Sequence, residues 1–157
     1  LDPFYDCTGS GTSVECSPGG DPYTSEGWRL PTEAEWEGAA RCGTDLKYAG
    51  SDAIEDVGWT SANSGSTSHE VGQLDANGCG LYDMSGNVWE WCLDWKGDYP
   101  GGNVTDPKGA TSGTDRVLRG GSWVDIAVNA RSAVRGSDGP GIRYYLLGFR
   151  LALSSVR

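Results

Sequence analysis

At 157 residues the chain can bury the core of one domain but hardly of two, so one domain is expected over residues 1–157. Seven Trp and seven Tyr against two Phe and one Met, with 25 Gly, point to a loop-rich fold with β structure held by a few large side chains and argue against a helical bundle. The net charge of −10 divides into −15 over residues 1–115 and +5 over residues 116–157; so acidic a body argues against nucleic acid or anionic membrane as partners.

Residues 1–27 are rich in Gly, Ser, Pro and Asp without a sustained period, which predicts an irregular loop with one short strand near Phe4 and Tyr5. Within it Cys7 and Cys16 could close a disulfide loop in an exported protein. The five cysteines include no CxxC pair, so a zinc site is not expected. Further on, Thr32 followed three residues later by Glu35 makes a capping box, predicting a helix over about Glu33–Arg41 that Gly43 stops. Residues 48–77 read as a long ordered loop packed by Val57, Trp59, Val71 and Leu74. His69, the sole histidine, is expected to be a solvated or capping residue there, since a triad or metal centre would lack its other members.

Residues 83–87 have turn chemistry, and after them Trp89, Trp91, Leu93 and Trp95 alternate with Glu90, Cys92 and Asp94. That period predicts a central strand with its aromatic face in the core and Cys92 as a buried thiol on the other. Residues 96–115 form a second Gly/Pro-rich loop, residues 116–123 a strand bent at Gly120-Gly121, and residues 147–153 a last short strand. Seven spaced arginines after residue 115 are expected to pair internally with carboxylates. No stretch reads as a signal peptide or an apolar run of membrane length. The chain opens on Leu1, as a processed or trimmed fragment would, so the missing signal says nothing about export.

Four ordered motifs, Trp28-Arg-Leu-Pro-Thr-Glu-Ala-Glu-Trp36, Gly80-Leu-Tyr-Asp-Met-Ser-Gly-Asn-Val-Trp-Glu-Trp91, Arg116-Val-Leu-Arg-Gly-Gly-Ser-Trp123 and Leu147-Gly-Phe-Arg-Leu151, resemble the formylglycine-generating-enzyme/sulfatase-modifying-factor domain. The resemblance covers about residues 28–153, without a counterpart of that family's N-terminal strand and first helix. It implies an α+β, C-type-lectin-like fold, loop-rich with short antiparallel strands and few helices. It also implies a copper ion held by two cysteines soon after the Gly-Gly-Ser-aromatic turn; those places hold Asp125 and Ala130, neither of which offers the thiolate that Cu(I) requires. No copper and no catalysis are therefore expected. The family's iron-dependent sulfoxide synthases take their ligands from a separate histidine-rich domain, which one histidine cannot replace. A calcium site of the family matches Asp83, Gly86, Val88 and Glu90, all oxygen donors; alternatively Asp83 and Glu90 cap backbone amides or pair with arginines, Arg119 and Arg150 being the candidates for Glu90.

Between the turn and the last strand, Ala127, Arg131, Ser132, Ala133, Arg135, Pro140 and Arg143 look like framework. The other positions, Val124, Asp125, Ile126, Val128, Asn129, Val134, Gly136, Ser137, Asp138, Gly139, Gly141, Ile142, Tyr144, Tyr145 and Leu146, are chemically mixed and aperiodic. Each is reachable from an Asn codon by changing only its adenines, and Lys, Glu, Gln, Met and Trp, which are not, are missing from residues 124–146. This pattern resembles the variable region of the target proteins of bacterial diversity-generating retroelements. It implies a non-catalytic ligand-binding module at the cell surface or outside the cell, its partner an unknown protein or surface ligand, without nucleic acid and without membrane insertion. The competing expectations are a sulfatase-modifying-factor oxidoreductase or a degenerate enzyme, and a calcium-dependent lectin suggested only by Trp123-Val124-Asp125. In the variable region one of Tyr144 and Tyr145 is expected in the exposed patch, with Ile126, Val128 or Ile142 around it and Asp125, Asn129 and Asp138 making polar contacts.

Overall fold

The computed structural model describes residues 2–154. Where an irregular loop with one strand was expected, two strands, β1 (Tyr5–Thr8) and β2 (Glu15–Pro18), pair as an antiparallel hairpin. Cys7 stands opposite Cys16 in that register and is disulfide-bonded to it, so a covalent link and a turn with Gly9 and Gly11 at positive φ replace the hydrophobic alternation that would have announced a hairpin.

Helix α1 (Glu33–Arg41) begins and ends as predicted. The Thr32 side chain accepts from the Glu35 amide at 3.2 Å, and Glu35 Oε2 accepts from the Thr32 amide at 2.8 Å, which satisfies two of the free donors at the helix start. At its end Cys42 is left-handed, with φ 45°, and Gly43 follows at φ 75°. Cys42 is also bonded to Cys79, a link that ties α1 to the segment preceding the central turn and that the cysteine spacing did not reveal. A single helical turn, α2 (Ile54–Val57), interrupts the loop that follows.

The main sheet contains β3 (Trp89–Trp95), β4 (Arg116–Arg119), β5 (Arg135–Asp138) and β6 (Leu147–Gly148), in the order β5-β4-β3-β6. β3 pairs antiparallel with β4 and parallel with β6, and β4 pairs antiparallel with β5. The architecture is α+β and loop-rich, as expected. The last strand is shorter than predicted, and beyond it Ala152 makes an isolated bridge with Arg29. Among the described residues no helix is long and apolar enough to cross a membrane.

The expectation for the faces of β3 is corrected. Glu90, Cys92 and Asp94 are the buried residues, while Trp89, Trp91, Leu93 and Trp95 are half-buried. The reason is the polar side of the packing: α1 lies over the Glu90 face, where Trp36, Ala40, Ala49, Met84, Cys92 and Val117 form the apolar cluster, and each charged group entering that layer meets specific partners. Arg119, itself fully buried, donates to Glu33 at 2.7 Å and to Glu37 at 2.7 Å. Arg135 forks onto Glu33 at 2.5 and 2.6 Å. Burial alone would raise the Glu33 carboxyl, but Arg135 and Arg119 outweigh it and hold Glu33 below the usual carboxylate range. Of the arginines after residue 115, Arg119, Arg135 and Arg150 pair internally with carboxylates as expected, whereas Arg116 and Arg143 donate to the Leu93 and Thr12 carbonyls.

Candidate functional site

The bend at Gly120-Gly121 delivers residues 122–130 to the surface beside β3. Gly120 and Gly121 have φ 93° and 76°, and a Cβ on Gly121 would sit 3.0 Å from the Ala130 Cα, so the bend closes tightly onto the 3-10 turn Ala127–Ala130. From there the side chains alternate: Val124, Ile126 and Val128 are exposed, Asp125, Ala127 and Asn129 are half-buried, and Ala130 is buried.

Asp125 and Asn129, expected as polar contacts for a ligand, brace the loop instead. Asp125 Oδ2 accepts from Trp89 Nε1 at 2.9 Å and from the Ser122 amide at 3.0 Å, and also from the Ser122 hydroxyl, while Oδ1 accepts from Asn129 Nδ2 at 3.0 Å. A carboxylate with four donors on it is a structural hub. Asp138 likewise turns inward on its own backbone, accepting from the Gly139 amide at 2.8 Å. Gly136 lies on Trp89, where an added Cβ would approach the indole ring to 3.0 Å. Val134, Gly139 and Leu146 are half-buried, and Ser137, Gly141 and Ile142 lie toward solvent.

Both tyrosines are outward, not one of them. Tyr144 and Tyr145 are 52% and 61% exposed, because the Leu147 amide donates to the Tyr144 carbonyl and closes a turn where an extended segment was assumed. Their rings lie 4.2 Å apart, and the Tyr144 hydroxyl donates to the Tyr145 hydroxyl at 2.9 Å, which raises the Tyr144 pKa above the usual phenol value. Tyr145 also meets Trp123 at 5.9 Å between centroids, which ties the two ends of residues 124–146 together. Trp89, Ser122 and Trp123 were not among the predicted site residues; they stood in two motifs read for the core and the bend, and Trp123 also in the lectin-like triplet.

At the places the resemblance gives to copper ligands, the Asp125 carboxylate is engaged as above and Ala130 is buried. Among the described residues the one free cysteine is Cys92, buried on β3 with its thiol pushed well up by desolvation. A copper–thiolate pair does not fit this arrangement.

The residues matched to calcium occupy a strained turn, with Asp83, Gly86 and Asn87 at φ 55°, 79° and 63°. A Cβ on Gly86 would come within 2.2 Å of the Trp59 carbonyl oxygen, so only glycine can stand there. Asp83 Oδ2 accepts from the Gly72 amide at 2.7 Å. Glu90 is gripped by Arg150 at 2.6 and 2.7 Å and by Trp36 Nε1 at 2.7 Å, so of its two candidate arginines it meets Arg150. Both Glu90 oxygens are so engaged, as the arginine alternative for this turn expects. His69 is packed more closely than a solvated residue: its ring stacks on Trp59 at 3.7 Å and its Nε2 lies 2.8 Å from the Ser64 carbonyl.

Residues 8–155 match the sulfatase-modifying factor enzyme 1-like domain. The chain belongs to this family. The match begins before the first motif that carried the resemblance and takes in most of the β1–β2 hairpin. The formylglycine-generating enzyme of Streptomyces coelicolor is 40% identical over 146 residues, covering 80% of this chain and 46% of that protein. The serine/threonine-protein kinase pkn1 of Chlamydia caviae is 42% identical over 132 residues, covering 80% of this chain and 21% of that protein. Among solved structures, Treponema denticola variable protein 1 superposes with a TM-score of 0.81 and 43% identity over 92% of this chain and 52% of that one. The chain thus spans from about a fifth to about half the length of these relatives. The fold is the α+β, C-type-lectin-like fold of the formylglycine-generating-enzyme type.

Proposed function

We propose that this protein is a non-catalytic ligand-binding module of the sulfatase-modifying factor enzyme 1-like family, displayed at the cell surface or outside the cell, whose residues 124–146 are diversified by a retroelement. The observation that carries the reading is the exposed apolar surface of that segment: Val124, Ile126, Val128, Ile142, Tyr144 and Tyr145 are large apolar side chains from 37% to 63% exposed. Exposed tyrosines offer wide, rigid contact area at low entropic cost. The likeness to a protein named as variable supports it, as do Asp125 and Ala130, neither a cysteine, at the places the resemblance gives to copper ligands. Two disulfides suit an oxidising compartment.

The gene tests the reading directly. A near-identical template repeat differing at adenine-derived positions, with a reverse transcriptase nearby, is the expected finding, and a locus lacking both would sink the diversification claim. The enzyme alternative has its own assay: copper-dependent oxidation of the cysteine in a sulfatase peptide would overturn the non-catalytic claim.

A further inference from the structure

Among the described residues three carboxylates are buried: Glu33, Glu90 and Asp94 are 5%, 6% and 4% exposed. Glu33 is met by Arg119 and Arg135, and Glu90 by Arg150. Asp94 is different. Its Oδ2 accepts from the Glu33 amide at 2.8 Å, and no lysine or arginine pairs with it among the described residues. The neighbouring cations are committed elsewhere: Arg135 to Glu33, to the Gly97 carbonyl at 2.9 Å and to the Tyr99 ring at 4.0 Å, and Lys108 to Asp21. Burial pushes the Asp94 carboxyl up to about 6; the Glu33 amide and Arg135 work against that rise, and the Glu33 and Glu35 charges add to it. A carboxylate kept from water without a counter-ion is costly, and costly groups in clefts are where ligands act.

Asp94 opens onto a cavity of about 830 Å³ between α1 and residues 94–111, within the range of roughly 300 to 1,000 Å³ that small molecules occupy. Tyr99, Val104 and Pro107 give it apolar walls. Tyr99 is held in place by its hydroxyl, which donates to Glu33 at 3.1 Å. The backbone closes over the acid at Gly109, whose φ is 73° and where a Cβ would fall 2.7 Å from Asp94 Oδ1. We infer that this cavity binds a small alkyl-ammonium ligand, the ammonium group on Asp94 and the alkyl chain along Tyr99, Val104 and Pro107. None of the predicted variable positions lines the cavity, so this site is independent of the ligand-binding reading of residues 124–146.

The test is a backbone-amide NMR titration of the whole chain with n-butylammonium and, in parallel, with the uncharged n-butanol. Saturable shifts at Gly97, Tyr99 and Gly109 are expected with the amine, at least ten-fold weaker with the alcohol. Asp94→Asn keeps an acceptor for the Glu33 amide and should weaken amine binding at least ten-fold. Absence of saturable shifts, equal response to the alcohol, or undiminished affinity in Asp94→Asn overturns the inference. Should that variant fail to fold, Val104→Trp fills the cavity from an exposed position and leaves Asp94 in place; loss of the amine shifts then supports the site, and their persistence overturns it.

Discussion

Behind β3 the side chains that are charged are buried, and along residues 124–146 many of the side chains that are apolar are exposed. In the first region each group has named partners: Arg119 on Glu33 and Glu37, Arg135 on Glu33, Arg150 on Glu90. Such bonds are directional, and a substitution leaves a charge without its mate. In the second, the side chains of Ile126, Val128 and Ile142 enter no core cluster and offer no polar atom to strand, so they can change without that penalty. The difference teaches where a scaffold can tolerate variation. Stability is concentrated in the polar layer, which holds none of the proposed variable positions; among those positions Ile126, Val128 and Ile142 carry little structural load, in contrast to Asp125.

The contrast is broken most forcefully at Arg119. Its replacement by Ala leaves Glu33 to Arg135 and Glu37 to Arg41, and empties a fully buried site beside Trp36, and should cost about 3 to 5 kcal/mol in urea denaturation; a loss under about 1 kcal/mol would show that the polar layer is dispensable.

Arg150 tests the same layer at the central turn and, with it, the choice between arginine and calcium. Arg150→Ala leaves the Glu90 carboxylate with Trp36 alone and should cost about 2 to 3 kcal/mol. Chelator added to the unsubstituted protein should leave Tm unchanged. A fall in Tm on chelation, restored by calcium, would mean that the turn adopts a different, cation-bound arrangement.

The exposed surface gives the smallest effect on folding. Tyr144→Ala and Tyr145→Ala should each alter stability by under about 0.5 kcal/mol, while for a ligand obtained by selection each should weaken binding by about 1 to 4 kcal/mol. Equal losses of folding and binding would place these rings in the core. Gly136 marks the boundary of the tolerant region, since its position against Trp89 makes any larger residue there a structural change as well as a surface one.

Local chemistry was legible where it is self-contained. Thr32 and Glu35 announced α1 because a capping box is completed within four residues, and the alternation from Trp89 announced β3 because side-chain period is a property of the strand itself. The fifteen mixed positions were gathered as a set by codon arithmetic, not by structure. Which of them face outward was not: Asp125 and Asn129 looked like contacts and are braces, because the donors on Asp125 include Trp89, far away in the chain. The turn at Tyr144 that sends both rings outward likewise lay outside the reach of a rule for extended segments.

The sequence by itself determined the family, the helix, and the central turn and strand, since these depend on residue identity and short-range spacing. Only the tertiary structure decided which face of β3 is buried. Period two separates the faces but does not label them; the label came from α1 and from the segment after β6, because Trp36 and Arg150 meet Glu90, the Glu33 amide meets Asp94, and Glu33 is itself met by Arg119 and by Arg135, 102 residues away, so that this face, and not the tryptophan face, goes inside.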